Sequence, residues 1–395
     1  MTDKKDIFQT ICIHEGEDYE RFYGGVTPPI FENSLFSFPA YEEIDKAFAG
    51  NSNRYIYTRG TNPTVEILER KITALEGTEA TKVFASGMAA ISAAIMSVVK
   101  NGDHVVAVKN IYSPAYQFLT DYLAKKFAID VTYVDGRETD EIANALKPNT
   151  SLIYLESPTS LNFHLQDIRA VAQLAKEQNI ITIIDNSYST PYYQRPFEMG
   201  VDLIVHSATK YLNGHSDVVA GVVTGRKDLI EKIQENELSL FGGIIGPFEA
   251  WLIIRGLRTL GIRMERHTKS ALKVANFLEQ HLKVKKVNYP GLESFPQKEL
   301  ADRQMSGWGG LLSIEVEGDI EGISRMMNHL KYFSIGVSWG GFESLVFHPY
   351  ISLKHKFTLE EMAEWDLSPQ LIRLFIGLED PAVLIQDLAE ALEQL

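Results

Sequence analysis

Short apolar runs alternate with helical patterns between residues 61 and 256, and this alternation constrains the fold more than any other feature of the chain. Each run is strand-sized, which predicts a mostly parallel sheet covered by helices on both faces. Sheets of this class bind ligands beyond the carboxyl ends of their strands, so residues at those ends are the first functional candidates. The runs are VVAV from Val105, SLIYL from Ser151, IITII from Ile180, DLIVH from Asp202 and GVVTG from Gly221.

The two flanks of this region differ from it. Residues 1–60 are rich in Pro, Phe, Tyr and Gly without clear periodicity, which predicts an extended arm that contacts a neighbouring subunit. Residues 257–395 mix helical stretches such as ALKVANFLEQHL with strand-like ones such as GLLSIEVEG and LIRLFIG. We therefore predict an arm over 1–60, a ligand-binding domain over 61–256 and a smaller α/β domain over 257–395, in keeping with a length of 395 residues.

Charge and cysteine content exclude several classes of function. The formal net charge is -14, whereas nucleic acids and anionic membranes require a basic face. The single cysteine, Cys12, rules out an internal disulfide, and the start MTDKKDIFQT has no apolar signal segment. We expect a cytoplasmic protein that binds neither nucleic acid nor membrane.

An anion site is indicated at Ser86, Gly87 and Met88, which follow the run KVFA and open the helical pattern AAISAAIMSVV. A serine cap and a glycine at a helix start leave backbone N–H groups for a phosphate, and the helix dipole favours the negative charge. An ordinary helix cap without a ligand is the alternative interpretation.

Two titratable residues stand where strands of the predicted sheet end. Asp185 closes the run IITII, where its carboxylate could pair with a protonated ring nitrogen or cap the next segment. Lys210 lies shortly after DLIVH, beside the hydroxyls of Ser207 and Thr209. That setting suits a Schiff-base lysine next to a phosphate, although most lysines are solvated surface groups.

Four further residues are candidates for ligand binding. Arg373 interrupts the apolar run LIRLFIG, and a half-buried arginine needs an anionic partner, either a substrate carboxylate or an internal acid. Tyr112 follows VVAV and could stack on an aromatic cofactor or pack in the core. Tyr57 and Arg59, in YIYTRGTNP, suit a phosphate or a solvated loop.

Metal and dinucleotide sites have little support in the sequence. The ten histidines include no pair at metal-ligand helix spacing, and there is no cysteine cluster. Neither GxGxxG nor GxxxxGK occurs, so the predicted phosphate does not belong to a dinucleotide or to ATP. We therefore predict no metal.

Several strings, in chain order, resemble the cysteine and methionine metabolism family of pyridoxal-phosphate enzymes, which includes cystathionine lyases and synthases and methionine γ-lyases. The resemblance covers nearly the whole chain and implies an α/β PLP-dependent transferase fold (aspartate aminotransferase-like, fold type I) whose PLP-binding domain is residues 61–256. It also implies a homotetramer built from two catalytic dimers. The strings are YTRGTNPT, ALEGTEA, ASGMAAI, IDNSYSTPY, HSATKYLNGHSD, RGLRTLGIRM, SWGGFESL and RLFIGLED.

The resemblance assigns a role to each candidate residue. Lys210 would hold pyridoxal 5'-phosphate, Asp185 would pair with its ring nitrogen, and Tyr112 would stack on the ring and share in catalysis. Arg373 would bind the α-carboxylate of the substrate. The phosphate would be held by Gly87, Met88, Ser207 and Thr209, together with Tyr57 and Arg59 of a neighbouring subunit.

Departures from the common family pattern favour one subfamily. Ser160 stands where many members have an asparagine, and GHSD and Ser338-Trp339 resemble bacterial cystathionine β-lyases. Cystathionine γ-lyases share a glutamate at the position that Val337 occupies in this chain. We expect Val337, Ser338, Trp339 and Tyr57 to contact substrate, although Trp339 could be core packing.

The predicted reaction is therefore cleavage of L-cystathionine to homocysteine, pyruvate and ammonia, as in methionine biosynthesis and transsulfuration. Cystathionine γ-lyase, cystathionine γ-synthase and methionine γ-lyase are the alternatives within the family. Pro114 argues against the last of these, because methionine γ-lyases typically carry a cysteine at that position, two residues beyond the stacking tyrosine. A non-catalytic regulatory protein on the same fold is the alternative from another class.

Overall fold

The larger of two sheets contains the five predicted strands and two more. Its members are β1 (Ala80–Phe84), β2 (His104–Val108), β3 (Asp130–Val134), β4 (Thr150–Glu156), β5 (Ile181–Asp185), β6 (Leu203–Ser207) and β7 (Gly221–Gly225). In space they follow the order β1-β7-β6-β5-β4-β2-β3. β7 pairs antiparallel with β1 and β6, whereas the four other pairs are parallel, so the sheet is mostly parallel as predicted. The computed structural model describes residues 4–395, and residues 1–3 of the predicted arm lie outside it.

The smaller sheet lies entirely in the last third of the chain. It comprises β8 (Val284–Asn288), β9 (Leu311–Val316), β10 (Ser334–Ile335), β11 (Leu345–Phe347) and β12 (Leu371–Phe375). The order is β10-β11-β12-β9-β8, and all pairs except β10 with β11 are antiparallel. The strand-like runs GLLSIEVEG and LIRLFIG become β9 and β12, two neighbouring strands of this sheet.

Helices cover both sheets. Within residues 4–395, no helix is both long enough and apolar enough to cross a membrane. The helices are α1 (Lys4–His14), α2 (Tyr41–Phe48), α3 (Pro63–Glu76), α4 (Gly87–Val98), α5 (Ser113–Gln117), α6 (Ala124–Phe127), α7 (Thr139–Ala145), α8 (Ile168–Glu177), α9 (Thr190–Tyr193), α10 (Lys227–Ile233), α11 (Ser239–Phe241), α12 (Pro247–Leu257), α13 (Leu260–Glu279), α14 (Lys298–Gln304), α15 (Ile320–His329), α16 (Tyr350–Leu353), α17 (Leu359–Glu364) and α18 (Pro381–Leu392).

The central strands of the large sheet are buried on both faces. All five residues of β2 are buried, and β4 is buried from Leu152 to Glu156. Their side chains join one apolar core with α4 and α8, and a second core lies between the small sheet and helices α13, α15 and α18. Because these strands cannot shift without exposing apolar surface, the residues at their carboxyl ends are held in place.

The N-terminal segment is less extended than its composition predicts. Phe8 and Cys12 lie four residues apart on α1 and are buried against α3, because that spacing puts both on one helical face. Lys71 donates hydrogen bonds to the carbonyl oxygens of Cys12 and Ile13 at the end of this helix, and pairs with buried Glu17 at 3.0 Å. The first part of the predicted arm therefore packs on its own chain.

Candidate active site

Lys210 lies three residues beyond β6 and reaches the segment that precedes β11. Its ammonium donates a 2.6 Å hydrogen bond to the Ser338 hydroxyl and lies 5.4 Å from the centre of the Trp339 ring. Burial, helped by the positive charge of Arg373 and opposed by Asp185, lowers the pKa of Lys210 from 10.5 to about 8. The lysine is thus a half-buried amine with an unusually large neutral fraction.

Asp185 ends β5 and is buried, with 8% of its surface exposed. Its Oδ1 accepts a 2.9 Å hydrogen bond from the backbone N–H of Ser187, so the residue also caps the next segment. Burial raises the pKa of this carboxyl, against the opposing effects of Ser187, His206 and Lys210. No salt bridge joins Asp185 to a cation anywhere in residues 4–395, which leaves a carboxylate suited to a protonated ring nitrogen.

The predicted phosphate residues meet where β6 ends beside the start of α4. Ser86 caps this helix by accepting a 3.0 Å hydrogen bond from the backbone N–H of Ala89. A Cβ added to Gly87 would lie 3.1 Å from the Cβ and Oγ of Ser207, so the glycine allows a close approach there. Met88 is partly buried against the apolar core.

Thr209 is less available than the sequence predicts. Its hydroxyl donates to the carbonyl oxygen of Ala220 at 3.2 Å and accepts from the backbone N–H of the same residue at 3.0 Å. A phosphate contact from Thr209 would require its hydroxyl proton to turn away from Ala220.

Tyr112 follows β2 and is the N-cap residue directly before α5, with 43% of its surface exposed. Its backbone N–H donates a 2.7 Å hydrogen bond to Oε2 of Glu156, and Oε1 of Glu156 is hydrogen-bonded to the Ser160 hydroxyl. Burial raises the pKa of the Tyr112 phenol, with smaller contributions from the charges of Asp185 and Glu156. The tyrosine is therefore not core packing but a neutral phenol at the edge of the site.

Arg373 lies in the middle of β12 and is half-buried. Its Nη2 donates a hydrogen bond to the carbonyl oxygen of Val337, and its guanidinium lies 5.3 Å from the centre of the Phe347 ring. No carboxylate forms a salt bridge with it in the described part of the chain. An internal acid was one of the two partners that the sequence allowed for Arg373, and no such ion pair is found among the described residues. The guanidinium is therefore suited to a carboxylate ligand.

The structure does not bring Tyr57 and Arg59 to these residues within one chain. Arg59 donates a 2.7 Å hydrogen bond to the carbonyl oxygen of Ser239, and Tyr57 is about half exposed. Their predicted position in a neighbouring subunit's site remains a prediction.

A cavity of about 350 Å³ opens between Tyr112 and Arg373. Its lining is mostly apolar and aromatic, with Val337 exposed at the surface of the cavity. Ser160 also lines it, at the end nearest Glu156. The apolar wall comprises Phe347, Leu353, Phe357, Met362, Trp365 and Leu367.

The residues present fit pyridoxal 5'-phosphate. Gly87 against Ser207 forms a close-approach cradle at a helix start for a phosphate, and buried Asp185 lacks a cationic partner. Lys210 supplies an amine of lowered pKa near both. Within residues 4–395, no group of three His, Cys, Asp or Glu side chains is placed to hold a metal ion.

Sequence reasoning missed two parts of the site. Glu156 carries the same signal as Asp185, a carboxylate that closes a buried apolar strand, yet it was given no role. The aromatic wall formed by Phe357 and Trp365 has no signal in the sequence, because its segment reaches the site only through the fold. Lys109 and Asn110 hold that segment by hydrogen bonds to carbonyl oxygens of residues 364 and 365.

Comparison with known proteins agrees with this geometry. Residues 9–393 match the family described as Cys/Met metabolism PLP-dependent enzyme. L-methionine gamma-lyase of Treponema denticola is 44% identical over 98% of this chain and 97% of its own. Cystathionine gamma-lyase of Bacillus subtilis is 39% identical, over 98% and 99%, and cystathionine beta-lyase of Coxiella burnetii is 36% identical over 98% of each chain.

These matches confirm the predicted family, the predicted cofactor and the prediction of a carbon–sulfur lyase. The chain belongs to the Cys/Met metabolism family of pyridoxal-phosphate-dependent enzymes.

Proposed function

We propose that this enzyme cleaves the carbon–sulfur bond of L-amino acids whose sulfur carries a small apolar group, with L-methionine as the leading substrate. The observation that carries the proposal is the apolar cavity between Tyr112 and Arg373. The overall reaction would convert L-methionine and water to 2-oxobutyrate, ammonia and methanethiol.

Arg373 would bind the α-carboxylate of the substrate. Its guanidinium has no acidic partner among the described residues and is oriented by the Val337 carbonyl. A bidentate pair with a carboxylate would engage two of the four remaining N–H donors and fix the Cα of the substrate relative to Lys210.

Lys210 would move the protons. At a pKa of about 8, a useful fraction of the amine is neutral near physiological pH and can remove the Cα proton, and then a Cβ proton for γ-elimination. Pyridoxal phosphate supplies an electron sink for these steps. Asp185 would balance the positive charge on the cofactor ring, and the neutral Tyr112 phenol would give a proton to the departing sulfur.

The cavity favours a thioether over a charged side chain. Phe347, Phe357 and Trp365 offer aromatic surface, against which a methionine sulfur makes favourable contacts. The distal end of cystathionine carries an ammonium and a carboxylate, and burying both without partners is costly. Glu361 is the acidic residue in the lining, and it is already engaged in the capping box of α17 with Thr358.

Cystathionine β-cleavage is the second candidate, and it is the reaction that the sequence analysis favours. The observation that supports it is Trp339, whose indole lies near the Lys210 ammonium and packs edge-on against Tyr211 at 5.4 Å. A bulky residue beside the lysine suits the long cystathionine chain. The valine at position 337 also offers no carboxylate to the distal ammonium of a γ-bound substrate.

A panel assay separates the two candidates. Purified enzyme is given L-methionine, L-cystathionine, S-methylcysteine and homocysteine at equal concentrations, and pyruvate, 2-oxobutyrate and thiol are measured separately. We expect kcat/KM to be highest for methionine, with 2-oxobutyrate as the keto acid. A higher kcat/KM for cystathionine with pyruvate as product would favour the second candidate, and no thiol release from any substrate would contradict both.

A further inference from the structure

Two buried carboxyl groups lie side by side at the end of the large sheet. Glu156 of β4 and Asp185 of β5 are partners in the parallel register. Aligned residues of neighbouring strands point to the same face, so the two side chains share one environment. Glu156 is 7% exposed and Asp185 is 8% exposed, which leaves little water to screen two negative charges.

The surroundings of the two carboxyls are not equivalent. Asp185 accepts a backbone N–H and has Lys210 and His206 as nearby cations or potential cations. Glu156 forms no salt bridge in the described part of the chain. The titratable groups that face Glu156 are Asp185 and the phenols of Tyr112 and Tyr154, neither of which supplies positive charge.

Electrostatic repulsion therefore disfavours the ionisation of both carboxyl groups at once. Glu156 is the group expected to stay protonated, because it has no cation nearby. Burial, followed by the charge of Asp185, raises the pKa of Glu156 from 4.5 to about 8. The hydrogen-bond geometry also fits a protonated acid. Oε2 accepts from the backbone N–H of Tyr112, and Oε1 meets a Ser160 oxygen that can accept as readily as donate.

We propose that Glu156 is a positioning residue that works as a neutral acid, accepting from the Tyr112 backbone while donating its own proton to Ser160. It thereby fixes Tyr112, the N-cap residue of α5, and leaves Asp185 as the single negative charge opposite the cofactor ring. Because Ser160 then accepts from Glu156, its hydroxyl proton is free to be donated into the cavity that it lines. The inference rests on the proposed function only for the use of the site as a pyridoxal-phosphate centre.

Glutamine is the matched probe of this proposal. Its side-chain oxygen can accept from the Tyr112 backbone and its amide can donate to Ser160, as the neutral acid does, whereas alanine can do neither. We expect infrared spectra of the holoenzyme at pH 7 to contain a protonated-carboxyl C=O band that is absent in Glu156→Gln and fades in the wild type above about pH 8. Glu235→Gln, at an exposed carboxylate, is the control that leaves the band in place.

Cofactor affinity provides the second measurement. After removal and titration of pyridoxal phosphate, Glu156→Ala should weaken binding by roughly tenfold, the order expected for a lost buried hydrogen bond, and Glu156→Gln should recover most of that loss. Equal losses in both variants, or a wild-type spectrum without a band that depends on Glu156, would overturn the proposal. The infrared comparison stands if the alanine variant fails to fold. Neither measurement uses a substrate, so failure of the methionine assignment would leave both results interpretable.

Discussion

Lys210 and Ser338 are separated by 128 positions in the sequence, yet the lysine ammonium donates a 2.6 Å hydrogen bond to the serine hydroxyl. The contact joins the end of β6 in the large sheet to the segment between β10 and β11 in the small one. Gly340 reinforces it, because its φ of +86° and its approach to the backbone of Lys210 leave no room for a side chain. The Lys210 amine is therefore held by both parts of the chain.

Replacing Lys210 with alanine should abolish turnover while the protein stays folded. The residue is proposed both to hold the cofactor and to move protons, and no other lysine forms a hydrogen bond to Ser338 in residues 4–395. Borohydride should fix the cofactor to the wild type but not to the variant, as absorbance after denaturation would report. Lys125→Ala, at a surface ion pair with Asp121, is the control and should react like the wild type. Substantial turnover by Lys210→Ala would contradict the assignment.

The attachment of pyridoxal phosphate to cofactor-free enzyme should accelerate as pH rises through about 8. Only the neutral amine of Lys210 can attack an aldehyde, and its pKa is lowered to about 8 by burial and by Arg373. Arg373→Met removes one of these two causes, so its rate profile should shift to higher pH. Stopped-flow absorbance across pH 6 to 10 measures both midpoints. A wild-type midpoint near the ordinary lysine value, or a downward shift in the variant, would contradict this prediction.

Much of the large sheet could be predicted because its central strands are uniformly apolar. The edge strands β1 and β3 were not predicted as sheet strands, since an edge needs less apolar surface and their sequences, ATKVF and DVTYV, each contain two polar residues. The helical part of the N-terminal segment was missed because proline and aromatic residues further along the arm mask the short apolar stripe of Phe8 and Cys12.

The strand-end rule and the family resemblance together predict Asp185 and Lys210 as site residues, and the structure brings them near each other. The same sources could not describe the substrate cavity, since Phe357 and Trp365 lie in the connection between β11 and β12 and not at the carboxyl end of a strand of the large sheet. Neither the strand-end rule nor the resemblance predicts that the Thr209 hydroxyl is hydrogen-bonded to the backbone of Ala220. Such contacts depend on loop conformation, which a periodicity does not encode.

Glu156→Gln should stabilise the fold increasingly as pH rises. The pKa of Glu156 is raised from 4.5 to about 8 on folding, so between these values the unfolded chain releases a proton that the folded chain retains. Stability from this group is complete below about pH 4.5 and is lost as pH rises toward 8, by at most about 1.4 kcal/mol per pH unit. The Glu156→Gln variant has no carboxyl group to ionise at this position, so it does not lose this stability as pH rises.

Urea unfolding of the wild type and of Glu156→Gln at each pH from 5 to 9 measures the effect. The difference in unfolding free energy should grow up to about pH 8 and then level off. Glu235→Gln should show no such trend. A difference that shrinks with pH would mean that Glu156 is ionised in the folded protein.

Arg59 is predicted to serve the cofactor site of a neighbouring subunit. Tyr57 and Arg59 lie on a segment with exposed apolar side chains, including Val26 at 75% and Leu35 at 62%, which suits a surface that another subunit covers. If Arg59 serves the partner's cofactor site, a hybrid dimer of Arg59→Ala and Lys210→Ala chains contains one intact site, formed by Lys210 of one chain and Arg59 of the other. Random mixing makes half of the dimers hybrids, so activity should recover to at most about a quarter of the wild type.

The control mixes Asp185→Asn with Lys210→Ala chains, and it should stay inactive because both residues belong to the same chain's site. Affinity-tagged chains purified as verified hybrids provide the measurement, and no recovery with Arg59→Ala would place that arginine outside the shared site.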